Sequence, residues 1–233
     1  MSDRRLTPSV DHRLTAALEM RRRRQERGDP FRVVPPVVTL SREYGCEAFA
    51  VAERLQARLE EKTRSPWLLM EKALLEQLAK EYGLEAEGFD RIGERNSFFD
   101  DLVSVLSPKW KTDKDHYRVL AWQITDLAQD GNIIFIGRGA SVLLRERKNT
   151  FHFRMVAPLE FRVESIGRRL GLGEADARKL VTTKQEQRAA FLREFLNIDG
   201  SDPCLYHLVF NNARNPVERM ASIMDGLVPP AEG

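Results

Sequence analysis

Apolar positions along this chain alternate between short, nearly continuous runs and longer stretches with apolar residues three or four apart, the signatures of strands and of amphipathic helices. The first run, Val33 to Ser41, is entered through Pro35-Pro36, which suit the beginning of a strand and not its middle. It stops at a polar turn with one glycine, Gly45, and passes into a helical pattern expected from about Cys46 to Lys62. Trp67–Met70, Asn132–Ile136, Thr150–Val156 and Leu205–Phe210 read as four further strands. Helical patterns lie between them: Leu74 to Tyr82 stopped by Gly83, Tyr117–Leu127, Leu159–Leu170, Glu174–Leu196, and a last helix opened by Asn215-Pro216. Residues 84–131 are the least regular part. Five strands alternating with helices predict an α/β domain with a parallel sheet and right-handed crossovers.

Composition narrows the class. A chain of 233 residues with 42% hydrophobic content is long enough for one large or two small globular domains. No stretch approaches ~18 consecutive apolar residues and the N-terminus lacks the apolar core of a signal peptide, so a cytoplasmic protein without a membrane span is expected. Cys46 and Cys204 form neither a disulfide framework nor a metal knuckle, and no metal site is expected from them. The net charge of +2 hides an asymmetry: nine arginines against five acids make residues 1–32 a +4 arm and leave the rest at −2. Arg21-Arg22-Arg23-Arg24 reads as a solvated face or frayed arm; a nucleic acid, an anionic membrane or a partner's acidic patch is the alternative.

Two places carry candidate chemistry. The strand, tight loop and helix around Ser41–Ala50 form a unit whose unpaired helix N–H groups and helix dipole suit an anion. Gly137-Arg138-Gly139 follows the buried run Asn132–Ile136, and the carboxyl ends of buried parallel strands are where open α/β sheets bind ligands. Cys46 reads as a small residue in a tight turn rather than a nucleophile. His12, His116, His152 and His207 are scattered, and the last two, in strands, read as internally bonded side chains. Trp67, Trp110 and Trp122 fit packing.

Ser41-Arg42-Glu43-Tyr44-Gly45, Gly137-Arg138-Gly139-Ala140, Ala157-Pro158-Leu159-Glu160-Phe161-Arg162 and Gln187-Arg188-Ala189-Ala190-Phe191, in this order, resemble the cytidylate-kinase-like family of P-loop proteins. The resemblance covers about residues 36–227 and leaves the arm outside. It implies a three-layer P-loop NTPase-like fold, an acceptor region over about 84–130 and an arginine-rich helical lid over about 158–196. It also implies ATP with Mg2+ as the donor, held at Arg42, Gly45, Cys46, Glu47 and Ala48, while Arg138, Arg162 and Arg188 clamp phosphates. Phosphoryl transfer rests on positioning and charge neutralisation, and one such arginine is worth ~10³ to 10⁵ in rate.

The departures are equally specific. Related kinases carry lysine and threonine where this chain has Ala48 and Ala50, and an acid where it has Gln185, so no magnesium ligand is evident there. Glu47 adds a carboxylate; about 4 Å from a phosphate charge it would cost up to ~4 kcal/mol at an effective dielectric of 20. It reads as an internal substitute for the phosphate at the helix N-terminus. Two readings follow: transfer of phosphate from ATP to CMP or a similar pyrimidine nucleotide, or an inactive relative that binds a nucleotide, a phosphate ligand or a partner protein.

Overall fold

The computed structural model describes residues 19, 35–71, 74–75 and 111–230. Five strands build the centre: β1 (Val37–Arg42), β2 (Leu68–Met70), β3 (Ile133–Ile136), β4 (Thr150–Val156) and β5 (Leu208–Asn211). They form one parallel sheet in the order β2-β3-β1-β4-β5. Between them run α1 (Ala48–Thr63), α2 (Lys111–Ala128), the single turn α3 (Ala140–Leu143), α4 (Leu159–Leu170), α5 (Glu174–Leu196) and α6 (Val217–Leu227). This is the α/β fold that the alternation of strands and helices implies.

Each sheet face builds its own core. On one side Val38, Leu40, Ile134, Ile136, Phe153 and Met155 pack against Val51, Leu55 and Leu59 of α1 and Met220 and Met224 of α6. On the other, Val37, Ile133 and Phe135 meet Tyr117, Ile124 and Ala128 of α2 and Leu196 of α5. Continuous apolar strands such as Ile133-Ile134-Phe135-Ile136 follow from this, because a parallel strand covered on both faces has no position left for water. A smaller cluster, Val163, Ile166, Ala177 and Val181, joins α4 to α5 and takes in the ring of Tyr44.

The helices α4 and α5 occupy the expected spans, and α1 and β1 each lie within two residues of theirs at the strand–loop–helix junction. At β5 the ladder begins at Leu208, because Pro203–Leu205 winds into a 3₁₀ turn capped by Asp202. His207 therefore precedes the strand, yet it ties β5 to β4: its N–H donates to the His152 carbonyl (2.7 Å) and its Nδ1 accepts the His152 N–H (2.9 Å). The expected helix after Leu74 is represented by Leu74 and Leu75 alone. Most of the expected acceptor region, Trp110 and the basic arm lie outside the described residues.

His152 is buried on β4, its Nδ1 2.8 Å from Thr39 Oγ1, and burial followed by the charge of His207 lowers its pKa to about 4. A histidine held neutral in the fold binds its proton more readily in the unfolded chain, so stability is complete above the unfolded pKa near 6.5 and declines as pH falls toward 4. The loss amounts to ~3 kcal/mol, and His152→Gln flattens it. Urea denaturation midpoints between pH 7.5 and 4 measure the difference.

Candidate anion site at the strand ends

Three guanidinium groups meet where β1 and β3 end. Arg42 is the last residue of β1, Arg138 lies in the turn after β3, and Arg188 reaches them from the middle of α5. Burial lowers the Arg42 pKa to about 9, with Arg188 and then Arg138 adding to the effect, so Arg42 remains a cation at neutral pH inside a field of like charge. Arg188 is lowered as well, first by burial. Its Nη1 donates to the Arg42 carbonyl at 3.3 Å and its head lies 5.0 Å from the Tyr44 ring centroid, which fixes it over the loop.

The turn that carries Arg138 is left-handed at three consecutive residues, with φ of 76°, 57° and 72° at Gly137, Arg138 and Gly139. An arginine in that region costs on the order of 1–2 kcal/mol relative to the right-handed alternative, and such strain gathers at functional sites. The left-handed backbone is what calls for glycine on both sides, and side chains fill the space each glycine leaves. A Cβ on Gly139 would meet the Tyr117 hydroxyl at 2.9 Å and overlap Leu196, and one on Gly137 would overlap the Arg42 guanidinium. The Arg138 head lies 5.8 Å from the Phe191 ring centroid, and Phe191 packs edge-on against Tyr117 at 5.0 Å. The motif residue Phe191 thus forms an aromatic wall behind Arg138, a role its sequence position alone does not reveal.

Arg162 stands apart from this cluster. Its Nε donates to the Ala157 carbonyl at 3.0 Å and lies 3.5 Å from Glu43 Oε2, while Nη1 reaches the Tyr44 carbonyl at 3.4 Å. Glu43 in turn accepts the Ala157 N–H at 3.0 Å. Arg162 and Glu43 thus staple the ends of β1 and β4 to the start of α4, with both side chains largely enclosed.

Four backbone donors of the loop from Glu43 to Ala48 are bonded within the protein. The N–H groups of Glu43, Tyr44, Cys46 and Glu47 go respectively to the Met155 carbonyl (3.0 Å), Gln185 Oε1 (2.9 Å), the Glu43 carbonyl (3.3 Å) and Asn212 Oδ1 (2.8 Å). Asn212 also donates to Glu47 Oε2 at 3.3 Å. The Glu47 carboxylate makes no capping bond to the helix. Its expected role as a phosphate substitute at the N-terminus of α1 is therefore filled differently, through a side-chain pair with the loop after β5. Gly45 has φ of 100°, and a Cβ there would meet Arg162 Cβ at 2.6 Å and the Arg162 carbonyl at 2.8 Å. The space that glycine leaves is filled by α4. Cys46 is buried, and its thiol is pushed up to about 12 by burial and then by Glu43, which suits packing and not nucleophilic attack. Ala48 is a core residue of α1.

These residues do not fit a magnesium-ATP cradle. Ala48 and Ala50 supply neither cation nor hydroxyl, the nearby carboxylates Glu43 and Glu47 are bonded to Arg162 and Asn212, and among the described residues no group of three or more His, Cys, Asp or Glu could hold a metal ion. What survives is a cationic pocket of Arg42, Arg138 and Arg188 beside a loop already closed upon itself.

Residues 37–214 match the family model described as the cytidylate kinase-like family. The chain belongs to this family. It is 24% identical over 157 residues to a cytidylate kinase of Methanocaldococcus jannaschii, covering 66% of this chain and 79% of the relative. A cytidylate kinase of Methanopyrus kandleri is 22% identical over 165 residues, covering 67% and 77%. Among solved structures, an uncharacterised protein from Eubacterium ventriosum superposes with a TM-score of 0.61 at 16% identity over 83% of this chain and 96% of its own, a likeness of fold.

The separate roles of the arginines have a measurable consequence. Arg162→Met leaves the largely enclosed Glu43 carboxylate with the Ala157 N–H but without its counter-ion and costs about 2–4 kcal/mol in chemical denaturation. Arg168→Met, which removes only the exposed 3.9 Å pair with Glu164, leaves the denaturation midpoint where it is.

Proposed function

We propose that this member of the cytidylate kinase-like family binds a phosphomonoester, of the pyrimidine nucleoside monophosphate type, at Arg42, Arg138 and Arg188, and that its first loop does not cradle ATP in the manner of a phosphoryl donor site. The observation that carries this reading is the convergence of three cations on a strand-end turn beside a loop in which the N–H groups of Glu43, Tyr44, Cys46 and Glu47 and the carboxylates of Glu43 and Glu47 are bonded within the protein. A dianionic phosphate relieves the mutual repulsion of the guanidinium groups and accepts the paired N–H donors they present. The electrostatic gain is largest where the cations are already desolvated, as burial makes Arg42 and Arg188.

A second reading, phosphate transfer from Mg2+-ATP to CMP, is favoured by the curated cytidylate kinases and by the span of the family match. It needs the Gln185 and Asn212 bonds to the loop to open so that the N–H groups face a nucleotide. The +4 arm supports a separate contact with an acidic protein surface or a nucleic acid, for which steep salt dependence that vanishes on removing residues 1–30 is the mark.

A thermal-shift and turnover panel separates the two main readings. CMP or UMP at ~100 times its dissociation constant adds ~2.7 kcal/mol and raises the melting temperature by several degrees in wild type, but not in Arg138→Ala. Mg2+-ATP gives no shift, and no CDP forms from ATP and CMP. CDP formation that Arg138→Ala abolishes establishes the second reading, and a panel without any shift overturns the first.

A further inference from the structure

The first loop is gripped at one residue. Tyr44 gives its N–H to Gln185 Oε1 at 2.9 Å, its carbonyl accepts from Arg162 Nη1 at 3.4 Å, and its ring packs against Val163 and Ile166 of α4 and Ala177 and Val181 of α5. Gln185 and Arg188 lie three residues apart on α5, so they share a helix face, and both meet this loop. Arg188 rests with its head 5.0 Å from the Tyr44 ring centroid and one N–H on the Arg42 carbonyl. Among the described residues it has no carboxylate partner, which separates it from Arg162, seated by Glu43.

The difference bears on binding. A carboxylate that fixed Arg188 would cancel one unit of positive charge where a phosphate is to enter, whereas a ring face and a carbonyl fix it and leave that charge in place. A loose arginine surrenders its rotamer freedom when a ligand arrives, and a seated one has already done so. We infer that Tyr44 and Gln185 are positioning residues of the anion site: the loop that follows β1 is the seat that holds Arg188 beside Arg42 and Arg138. This rests on the anion-binding reading above and gives the closed loop a function within it. Gln185 fixes the Tyr44 backbone, the ring carries Arg188, and both act through uncharged groups. A ligand that draws the Tyr44 N–H away from Gln185 therefore unseats Arg188, so such a ligand and a phosphate at the arginines weaken each other's binding by the same factor.

The test uses the full chain, isothermal titration with CMP and with inorganic phosphate, and hydrogen exchange at the Tyr44 N–H. Tyr44→Leu keeps apolar bulk between α4 and α5 but offers no ring face. It is expected to bind both probes ~5-fold more weakly than wild type, and Tyr44→Phe, which keeps the ring, restores the affinity. Gln185→Met is expected to weaken binding ~3-fold or more by freeing the Tyr44 backbone. Each loss vanishes in an Arg188→Met background, where no guanidinium is left to seat. A general lesion of the loop would weaken binding whether or not Arg188 is present. By linkage, saturating CMP slows exchange of the Tyr44 N–H ~5-fold.

Wild-type affinity in Tyr44→Leu or in Gln185→Met, or losses of the same size with and without Arg188, overturn this inference and leave the anion site standing. So does a Tyr44→Phe variant that binds as weakly as Tyr44→Leu, or an exchange rate that saturating CMP does not change. Where Tyr44→Leu does not fold, the Gln185→Met cycle and the exchange rate decide alone. Arg188→Met binding as tightly as wild type removes Arg188 from the site and the inference with it. Failure of wild type to bind either probe brings down the anion-binding reading itself.

Discussion

Holding three guanidinium groups together at the end of a parallel sheet is the constraint on which the rest of this structure turns. Two unit charges about 6 Å apart repel by on the order of 3 kcal/mol at an effective dielectric of 20, and burial adds to the cost of each. Such an arrangement persists only when its surroundings hold it in place. Here they do so from several directions. The Phe191 and Tyr117 rings back Arg138, the Tyr44 ring and the Arg42 carbonyl hold Arg188, and the gap at Gly137 seats Arg42. The two cores fix the strands on which these groups stand, so packing far from the cluster sets the position of its charges.

The same logic explains why the neighbouring loop looks as it does. A loop that holds nucleotide phosphates keeps its N–H groups unpaired and its glycines clear of other atoms. In this chain named contacts work against these features: Gln185 takes the Tyr44 N–H, Asn212 takes the Glu47 N–H, and α4 presses on Gly45. Gln185 stands where the resemblance to related kinases implies an acid. The Gln185 amide accepts the Tyr44 N–H without adding negative charge to the site, so a residue that brings no carboxylate also closes the loop. Losses that look independent along the sequence are thus partners in one local network.

Much of this was legible in the residues, for physical reasons. Strands buried on both faces are unmistakable as continuous apolar runs, and helices α4 and α5 are bounded by Pro158, Gly171 and Gly173, which leaves little freedom for their ends. That Arg138 stands in a strand-end turn could be read from its flanking glycines. The division of labour among the arginines could not. Arg162 and Arg188 both lie in arginine-rich helices, and only the fold shows that one is tied to Glu43 and two carbonyls while the other faces Arg42. Glu47 illustrates the limit in another way. A carboxylate beside a helix N-terminus suggests a cap, but its partner is Asn212, 165 positions along the chain, and no local pattern encodes a contact of that range.

Arg42 takes the point furthest. As the last residue of a buried strand it would ordinarily be read with its own neighbours, the loop and α1. The absence of a side chain at Gly137 leaves room for it over the end of β3, so the cation that β1 supplies lies against the turn that carries Arg138. A glycine conventionally assigned to turn geometry therefore has a second duty, as the passage for a charge. That duty explains why both the handedness of the turn and the absence of a Cβ matter at one position: the φ of 76° makes the turn, and the missing atom admits the guanidinium. An asparagine could meet the first requirement, since it tolerates left-handed backbone, but not the second. Glycine meets both, and in doing so it couples the conformation of the β3 turn to the position of the Arg42 charge.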